Sequence, residues 1–301
     1  MKNPYLQTRS PLMLPSLVCY ADILGYSQTS KSAISHGEGQ EYLTRIYKAL
    51  SKAYNRIRNR RKETDEEALF DIKVFTDNIV IGYPLLDPKK DFGEPEFGDI
   101  LHIFFKFQLS LAMEGFLIRG GVACGNFYMN KDIVYGDALL EAFDQDKSGG
   151  PPRITLGPSA VKIVRRHLAF YSSRKEAPHY HELLEDTDGK VFLNYLCLPF
   201  DELMDMGILF GPIRAHKKTI EDGLKKYKGI PDVRAKYEWL ARYHNYICTD
   251  YLGNVPNDDE EEYNEDYEDI YEDIRKLQTY KINIEELAAF PKRISIKPLR
   301  R

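Results

Sequence analysis

Two aspartates of this chain are the residues best placed to do chemistry, because each lies where a short apolar strand is predicted to end or reverse. Asp22 follows the apolar segment 18–21, and Asp77 lies between the β-prone segments 73–75 and 79–80. A lone carboxylate at such a position is rarely required for packing. Two carboxylates that converge in space can hold a pair of divalent cations, which catalyse in-line displacement at phosphorus. The pair therefore predicts a two-metal nucleotide site.

The elements that must position these aspartates alternate between strand-like and helix-like patterns over residues 16–170. The residues between the two β-rich runs around Asp77 have the composition of a hairpin tip. Strands are predicted at 16–21, 69–75, 79–83, 116–123, 133–135, 152–156 and 191–198, and the segment 84–96 is predicted to be a loop. Amphipathic helices are predicted at 37–60, 97–115, 136–147 and 158–168. Alternation of this kind indicates an α/β or α+β sheet domain.

Beyond residue 200 the chain is predicted to be helical, with helices at 220–227 and 233–251. Leu240, Tyr243 and Ile247 repeat at helical spacing, which predicts core or dimer packing. The predicted organisation has three parts. These are an N-terminal arm over 1–15, a catalytic sheet domain over 16–200, and a helical extension over 201–301 with an acidic insertion at 257–273.

Composition and charge favour a folded, nucleotide-binding protein. The 301 residues are 43% hydrophobic and 12% aromatic, which is enough for a core and excludes global disorder. Segment 258–273 holds 11 acids and no base, so removing it from the net charge of −4 leaves +7 for the rest. This diffuse positive charge suits a triphosphate but predicts no nucleic-acid partner.

Four scattered cysteines without metal-type spacing predict reduced thiols, and no apolar run predicts a membrane span or signal peptide. We therefore expect a soluble, cytoplasmic protein.

Two further motifs resemble metal-binding sequences but are not predicted to bind a metal. The pair His179 and His181 has no third ligand nearby and is predicted to lie on the surface. Segment 186–189 resembles the start of a calcium loop but lacks its closing glutamate, so a hairpin turn is predicted.

The aspartate segments resemble the metal-binding segments of class III adenylate and guanylate cyclases. In that family a strand runs into an Asp-Ile pair and a Gly-aromatic turn, as in segment 22–26. The second metal aspartate lies at a hairpin tip with a lysine four residues earlier, which Asp77 and Lys73 match. Segment 119–121 loosely matches an Arg-x-Gly strand, and 135–138 matches an aromatic-Gly-Asp-Ala helix start. The order of these landmarks is not explained if the aspartates only cap turns.

Departures from the purine cyclases point to a narrower relative. Where those enzymes carry a base-reading acid, a transition-state asparagine and an arginine, this chain has Ile133, Leu140 and Asp144. The hairpin, the strand at 118–122 and the helix start at 136–142 are similar to Pycsar pyrimidine cyclases, bacterial antiphage enzymes that make cyclic UMP or cyclic CMP for a separate effector. This resemblance implies an α+β fold, with a class III cyclase-like (ferredoxin-like) sheet domain and a helical C-terminal extension.

The resemblance also implies roles for individual residues. Asp22 and Asp77 would hold two Mn²⁺ or Mg²⁺ ions with the backbone carbonyl of Ile23. Backbone N–H groups of the following turn would bind phosphates, which involves Leu24, Gly25, Tyr26 and Ser27. Lys73 would donate to a base carbonyl or is a solvated strand lysine. Arg119 would bind phosphate, support the metal turn or form a structural salt bridge. Arg153 or a residue of the tail could replace the missing arginine.

The function expected from the resemblance is conversion of UTP to cyclic UMP by a homodimer with sites at its interface. Lys73 offers a hydrogen-bond donor to the base, and Ile133 stands where an acid would accept a hydrogen bond from a base amine. Uracil has two carbonyl acceptors and no such amine, so it is favoured over cytosine. The alternatives are a cytidylate cyclase, a purine cyclase with altered base-reading residues, and a non-catalytic nucleotide-binding module. Unpaired buried carboxylates are costly without a cation, which counts against the last alternative.

Overall fold

The computed structural model describes residues 4–7, 10–63, 71–75, 77–85, 94–147, 150–201, 203, 207–253, 255, 267–284 and 292–295. The strands are β1 (Leu6–Gln7), β2 (Ser10–Pro11), β3 (Leu14–Ile23), β4 (Asp71–Phe75), β5 (Asn78–Pro84), β6 (Ile118–Met129), β7 (Val134–Gly136), β8 (Ile154–Leu156), β9 (Leu183–Glu185), β10 (Val191–Leu193) and β11 (Lys292–Arg293). The α-helices are α1 (Tyr26–Ser35), α2 (Gly39–Glu63), α3 (Glu94–Met113), α4 (Asp137–Lys147), α5 (Pro158–His167), α6 (His179–Glu182), α7 (Phe210–Lys226), α8 (Pro231–Leu252) and α9 (Glu268–Tyr280).

One mixed sheet organises the described part of the chain, and β1 and β2 form a separate ribbon. The strand order is β11–β9–β10–β8–β6–β3–β5–β4, with β7 beside β6. β6 and β8 run parallel, whereas β3 is antiparallel to both β5 and β6. In this register Asp22 lies opposite Asn78 on β5 and opposite Arg119 on β6. The predicted α+β arrangement and the hairpin around Asp77 are therefore observed.

The two faces of the central sheet pack against different helices. Side chains alternate along β3, so Leu17 and Cys19 belong to the main hydrophobic core with residues of α2 and α3. Val18 and Tyr20 point to the other side and pack against Ala142 of α4. We call this side, on which Asp22 also lies, the α4 face. It is the side that carries the candidate chemistry.

A glycine allows α4 to approach the sheet closely. A Cβ atom at Gly121 would overlap the Ala142 carbonyl and the side chain of Gln145. Because glycine has no Cβ, this turn of α4 lies directly on β6 and carries Asp146 over the strand that holds Arg119. The sequence motif 118–122 thus has a packing role as well as a place in the candidate site.

The C-terminal helices share the main core with the sheet. Tyr243 and Ile247 of α8 are buried in the same cluster as the central strands, so the predicted aromatic repeat packs in the core. Lys292 and Arg293 form β11 at the edge of the sheet.

No described helix is both long enough and apolar enough to span a membrane. All four cysteines are free.

Several predicted boundaries differ from the structure for local reasons. The strand predicted at 191–198 ends at Leu193 and continues as the 3₁₀ helix Tyr195–Phe200, which contains Pro199. α3 begins at Glu94 inside the predicted loop, and two acids in its first turn favour that start. The end of the acidic insertion forms the first turns of α9, and residues 257–266 lie outside the described part of the chain.

The prediction that His179 lies on the surface was wrong. Its side chain is fully buried, whereas His181 is exposed as predicted. α6 is a single helical turn, so these two residues, two apart, point in different directions. Segment 186–189 is the predicted hairpin turn between β9 and β10, with Gly189 at φ 77°.

Candidate functional site

The structure brings Asp22 and Asp77 together at one end of the central sheet. The Ile23 N–H donates to the Asp77 carbonyl at 2.9 Å, which holds the hairpin tip against the end of β3. The two aspartate side chains share a hydrogen bond. The Asp22 side chain is 19% exposed, so a ligand can reach it while the surrounding strands fix its position. The spatial convergence expected from the sequence is present.

A third carboxylate and an arginine complete this acidic cluster. Arg119 donates from Nε to Asp146 Oδ1 at 2.7 Å, and its Nη2 lies 3.9 Å from Asp22 Oδ2. Asp146 comes from α4 and was not identified from the sequence. The available signal was its spacing, because Ala138, Ala142 and Asp146 recur every four residues and an acid therefore lies on an apolar stripe. Arg119 thus bridges the sheet and α4.

Burial and repulsion make Asp22 an unusual acid. Burial first, then the negative charges of Asp146 and Asp77, raise the pKa of Asp22 to about 6, although Arg119 lowers it. Tyr20 lies in the same field. Burial and the three carboxylates raise the pKa of its hydroxyl to about 12, and this hydroxyl donates to Asn78 Oδ1. Asn78 in turn donates to Asp77 Oδ1 at 3.2 Å.

The cluster has the chemistry of a divalent-cation site. Neighbouring carboxylates repel each other, and a divalent cation bound between them removes that repulsion. Carboxylate oxygens are the hard ligands that Mg²⁺ and Mn²⁺ prefer. Asp22 and Asp77 therefore fit the metal that the sequence predicts, and Asp146 is paired with Arg119.

The turn after β3 presents the N-terminus of a helix beside the aspartates. Gly25 has φ 74°, a left-handed conformation that glycine adopts without strain, and α1 begins at Tyr26. No acid lies in the first turn and no side chain caps it. The first N–H groups of a helix have no partners within the helix, so they form an anion site. The Leu24 N–H instead donates to the Leu117 carbonyl at 2.9 Å.

A cavity of about 290 Å³ adjoins this turn. Leu24 and Gly25 line one wall, and Lys226 of α7 and Lys236 of α8 line another. The two lysines lie more than 200 residues from the turn in sequence, so only the tertiary fold brings them there. They are the cations of the tail that sequence reasoning could not select.

Lys73 lies on the same face as the aspartates. It is half-buried and lies opposite Val80 of β5, which lies opposite Tyr20 of β3. Directly opposed residues share a face, so Lys73 is one row from Asp22 on the α4 face. Tyr26 and Ser27 are the first residues of α1, next to Gly25.

Positions expected to replace purine-cyclase residues are not part of the acidic cluster. Ile133 and Leu140 are exposed, and Asp144 pairs with Lys147 at 2.9 Å on the outer side of α4. Arg153 is 5% exposed and forms ion pairs with Asp186 and Asp188. Its guanidinium therefore stabilises the β9–β10 hairpin.

The sequence matches no model of a known protein family, and no curated protein matches it. Among solved structures, the fold is similar to the crystal structure of a class III adenylyl cyclase-like ATP-binding protein from Pseudomonas aeruginosa. The two chains are 13% identical, and the superposition has a TM-score of 0.37. It covers 57% of this chain and 41% of the other, so the match spans less than half of that structure.

Proposed function

We propose that this protein is a metal-dependent nucleotide cyclase of the class III type that converts UTP to 3′,5′-cyclic UMP and pyrophosphate. The observation that carries the proposal is the pair of aspartates, Asp22 and Asp77, which share a hydrogen bond beside an uncapped helix N-terminus. A carboxylate pair needs a cation, and a helix N-terminus attracts phosphate. A nucleoside triphosphate with its metal ions supplies both.

The topology of the central strands supports this proposal. β6, β3, β5 and β4 are adjacent and antiparallel in that order. Helices α1 and α2 connect β3 to β4, and α3 connects β5 to β6. This order is the one expected for the split βαβ arrangement of a ferredoxin-like sheet, and it supports the proposed fold. The class III cyclase domain inferred from the sequence is built on such a sheet.

Each part of the candidate site has a role in this reaction. Asp22, Asp77 and the carbonyl of Ile23 would hold two Mn²⁺ or Mg²⁺ ions, which activate the ribose 3′-hydroxyl and neutralise the departing pyrophosphate when bound. The N–H groups of Gly25, Tyr26 and Ser27 orient the phosphates. Arg119 remains paired with Asp146, so the cluster keeps enough negative charge for the ions but is partly neutralised before they bind.

The tail lysines are the cations that we propose for the phosphates. Lys226 and Lys236 line the cavity beside Gly25, and each adds a positive charge close to the helix N-terminus. Phosphoryl transfer depends on such charges, because negative charge must be held on the leaving group. These lysines take the place of the arginine that this chain lacks at Asp144.

The proposed base is uracil, and Lys73 is its proposed donor. Lys73 lies on the α4 face near the aspartates, and Ile133 offers no acceptor for an amine. Uracil has carbonyl acceptors at two positions, whereas cytosine replaces one with an amine that would be left unpaired. Cyclic CMP is therefore the second candidate product.

The proposed enzyme is a C2 homodimer that makes a second messenger for antiphage defence in bacteria. The α4 face is covered by α4 over β6 and β3, but Phe75 on β4 is 78% exposed. A second copy seated there would complete the site with its own β7 and α4. The cyclic nucleotide would act on a separate effector that senses it.

A non-catalytic nucleotide-binding module is the competing function. The replacement of the transition-state residues by Leu140 and Asp144, both exposed on α4, favours it. Incubation of the purified protein with each of the four nucleoside triphosphates and Mn²⁺, followed by chromatography and mass spectrometry, separates the two. Mainly cyclic UMP is expected, and Asp77→Asn should yield none.

Each other outcome of this experiment identifies a different error. Mainly cyclic CMP would overturn the base assignment alone, and cyclic AMP or GMP would overturn the pyrimidine family. Metal-dependent nucleotide binding without any cyclic product would establish the non-catalytic module.

A further inference from the structure

A second cluster of metal-ligating side chains lies in the interior, outside the candidate nucleotide site. Glu94 begins α3, His167 ends α5 and His179 begins α6. One ligand atom from each side chain lies within 4.8 Å of the others. In the part of the chain that the structure describes, no other group of three histidine, cysteine or acidic residues meets this spacing.

The distances within this cluster are close to those of a tetrahedral zinc site. His167 Nδ1 lies 2.9 Å from His179 Nε2, which lies 4.0 Å from Glu94 Oε1. Zinc bonds of about 2.0–2.1 Å place neighbouring tetrahedral ligand atoms about 3.3 Å apart. The two distances lie on either side of this value, so small side-chain rotations bring all three atoms to the ion.

A second layer of contacts orients the proposed ligands. His179 Nδ1 lies 2.9 Å from Glu182 Oε2, and a carboxylate partner at this nitrogen leaves Nε2 as the electron-pair donor. The Tyr171 hydroxyl donates to Glu94 Oε1 at 3.0 Å. Phe97 packs edge-on against both imidazoles, with ring centroids 5.5 and 5.6 Å away. Carboxylate, histidine and metal commonly occur in this order in zinc proteins.

We propose that Glu94, His167 and His179 bind one zinc ion, with water as the fourth ligand. Two imidazoles and one carboxylate suit zinc, whereas Mg²⁺ prefers oxygen ligands alone. Both imidazoles are fully buried, and the ion joins α3 to α5 and α6, which follow it by more than 40 residues of chain. The ion therefore fastens α3, α5 and α6 together. This site is separate from the nucleotide site and does not depend on the proposed function.

Direct metal analysis of the full chain tests the proposal. The protein is stripped with a chelator, given an excess of Zn²⁺ alone and passed through a desalting column. Elemental analysis should then find one zinc per chain, and Co²⁺ in place of Zn²⁺ should give the intense visible absorption of tetrahedral cobalt. Wild-type protein that stays folded but retains no zinc and gives no such spectrum would overturn the proposal.

Variants assign the ion to these residues. His179→Gln and Glu94→Gln should lose the zinc, and the rise in Tm that zinc gives the wild type should disappear. His181→Gln, two residues away and exposed, should keep both, as should Asp22→Asn in the nucleotide site. Equal zinc retention in a folded His179→Gln protein would refute the assignment. If that variant does not fold, Glu94→Gln and the wild-type cobalt spectrum decide the question.

Discussion

At Asp22, burial and two neighbouring acids all raise the pKa of the side chain, and this makes the residue suited to bind a cation. A carboxyl group that resists ionisation in the free protein gains most from a cation. Asp22→Asn and Asp77→Asn should each lower the rate of cyclic nucleotide formation by about 10³-fold or more, because the metal charge at the phosphates is lost. Product formation at saturating Mn²⁺ measures this effect.

Asp144→Asn is the matched control for these two variants. Asp144 is exposed on the outer side of α4 and pairs only with Lys147 among the contacts described above. Its substitution should leave the rate within about twofold of wild type, since surface ion pairs contribute little. An Asp22→Asn or Asp77→Asn protein that retains a tenth of wild-type activity would contradict the two-metal assignment.

The same perturbation predicts how stability depends on pH. The folded-state pKa of Asp22 is about 6, above its ordinary value of 3.8, so the folded state binds more protons than the unfolded state between these values. The Asp22 contribution to the free energy of unfolding therefore decreases as pH rises from 3.8 to 6. Without divalent ions, Asp22→Asn should be more stable than wild type at pH 7, by up to about 3 kcal/mol.

Urea unfolding in a chelator, at several pH values from 4 to 7, measures this difference. The advantage of Asp22→Asn should shrink as the pH approaches 4, and Mn²⁺ should stabilise the wild type most above pH 6. Wild-type protein that is more stable than Asp22→Asn at pH 7 without metal would show that burial and the neighbouring acids do not destabilise ionised Asp22.

At the scale of elements, Gly121 determines how closely α4 approaches β6. Gly121→Ala should cost about 1–3 kcal/mol in urea unfolding, because the added methyl group overlaps the Ala142 carbonyl. The resulting shift of α4 also moves Asp146 away from Arg119, so cyclase activity should fall by about tenfold or more. Gly98→Ala in α3 is the control, since a Cβ there meets nothing within 4 Å.

The expected change in the free energy of unfolding for Gly98→Ala has the opposite sign to that for Gly121→Ala. Alanine is the better helix former, so this variant should be as stable as wild type or more stable by about 0.5–1 kcal/mol. If Gly121→Ala were as stable and as active as Gly98→Ala, close packing of α4 would not be what positions Asp146.

The sequence predicts those features of the fold and the site that are determined by residues close together in the chain. The apolar, β-prone runs beside Asp22 and Asp77 are local signals, and they correctly predicted a hairpin and the strand before the metal turn. Contacts between distant segments had no such signal. Asp146 reaches the site because α4 packs on Gly121, and His179 is buried because α3 and α5 bring Glu94 and His167 to it.

In the C-terminal helices, too, the contacts between distant segments could not be predicted from the sequence. His216 Nδ1 lies 3.0 Å from His244 Nδ1, and His244 Nε2 lies 3.0 Å from the Tyr280 carbonyl. A carbonyl only accepts, so His244 donates to Tyr280 and accepts from His216, which in turn accepts from the Tyr195 hydroxyl. The helical spacing predicted that α8 is buried, but not that its histidine would join a chain of hydrogen bonds through α7 and α9.

At the scale of the whole molecule, the homodimer that we propose would place a second copy against the exposed part of the sheet and α4. Large apolar side chains are exposed on three elements: Phe75 on β4 at 78%, Tyr135 on β7 at 66% and Leu140 on α4 at 65%. Lone exposed apolar residues are ordinary, and the docking that we propose would bury these three. The proposed reaction also needs an opposite wall that the described part of one chain does not supply.

Light scattering should therefore find a particle of twice 34.9 kDa for the wild type. Phe75→Lys and Tyr135→Lys should shift it towards the monomer and lower cyclase activity in parallel, since a buried unpaired charge opposes docking. Leu43→Lys is the control, because Leu43 is 58% exposed on α2, which packs on the opposite face of the sheet, and its substitution should change neither mass nor activity. A wild-type monomer that forms cyclic nucleotide at full rate would show that one chain contains the complete site.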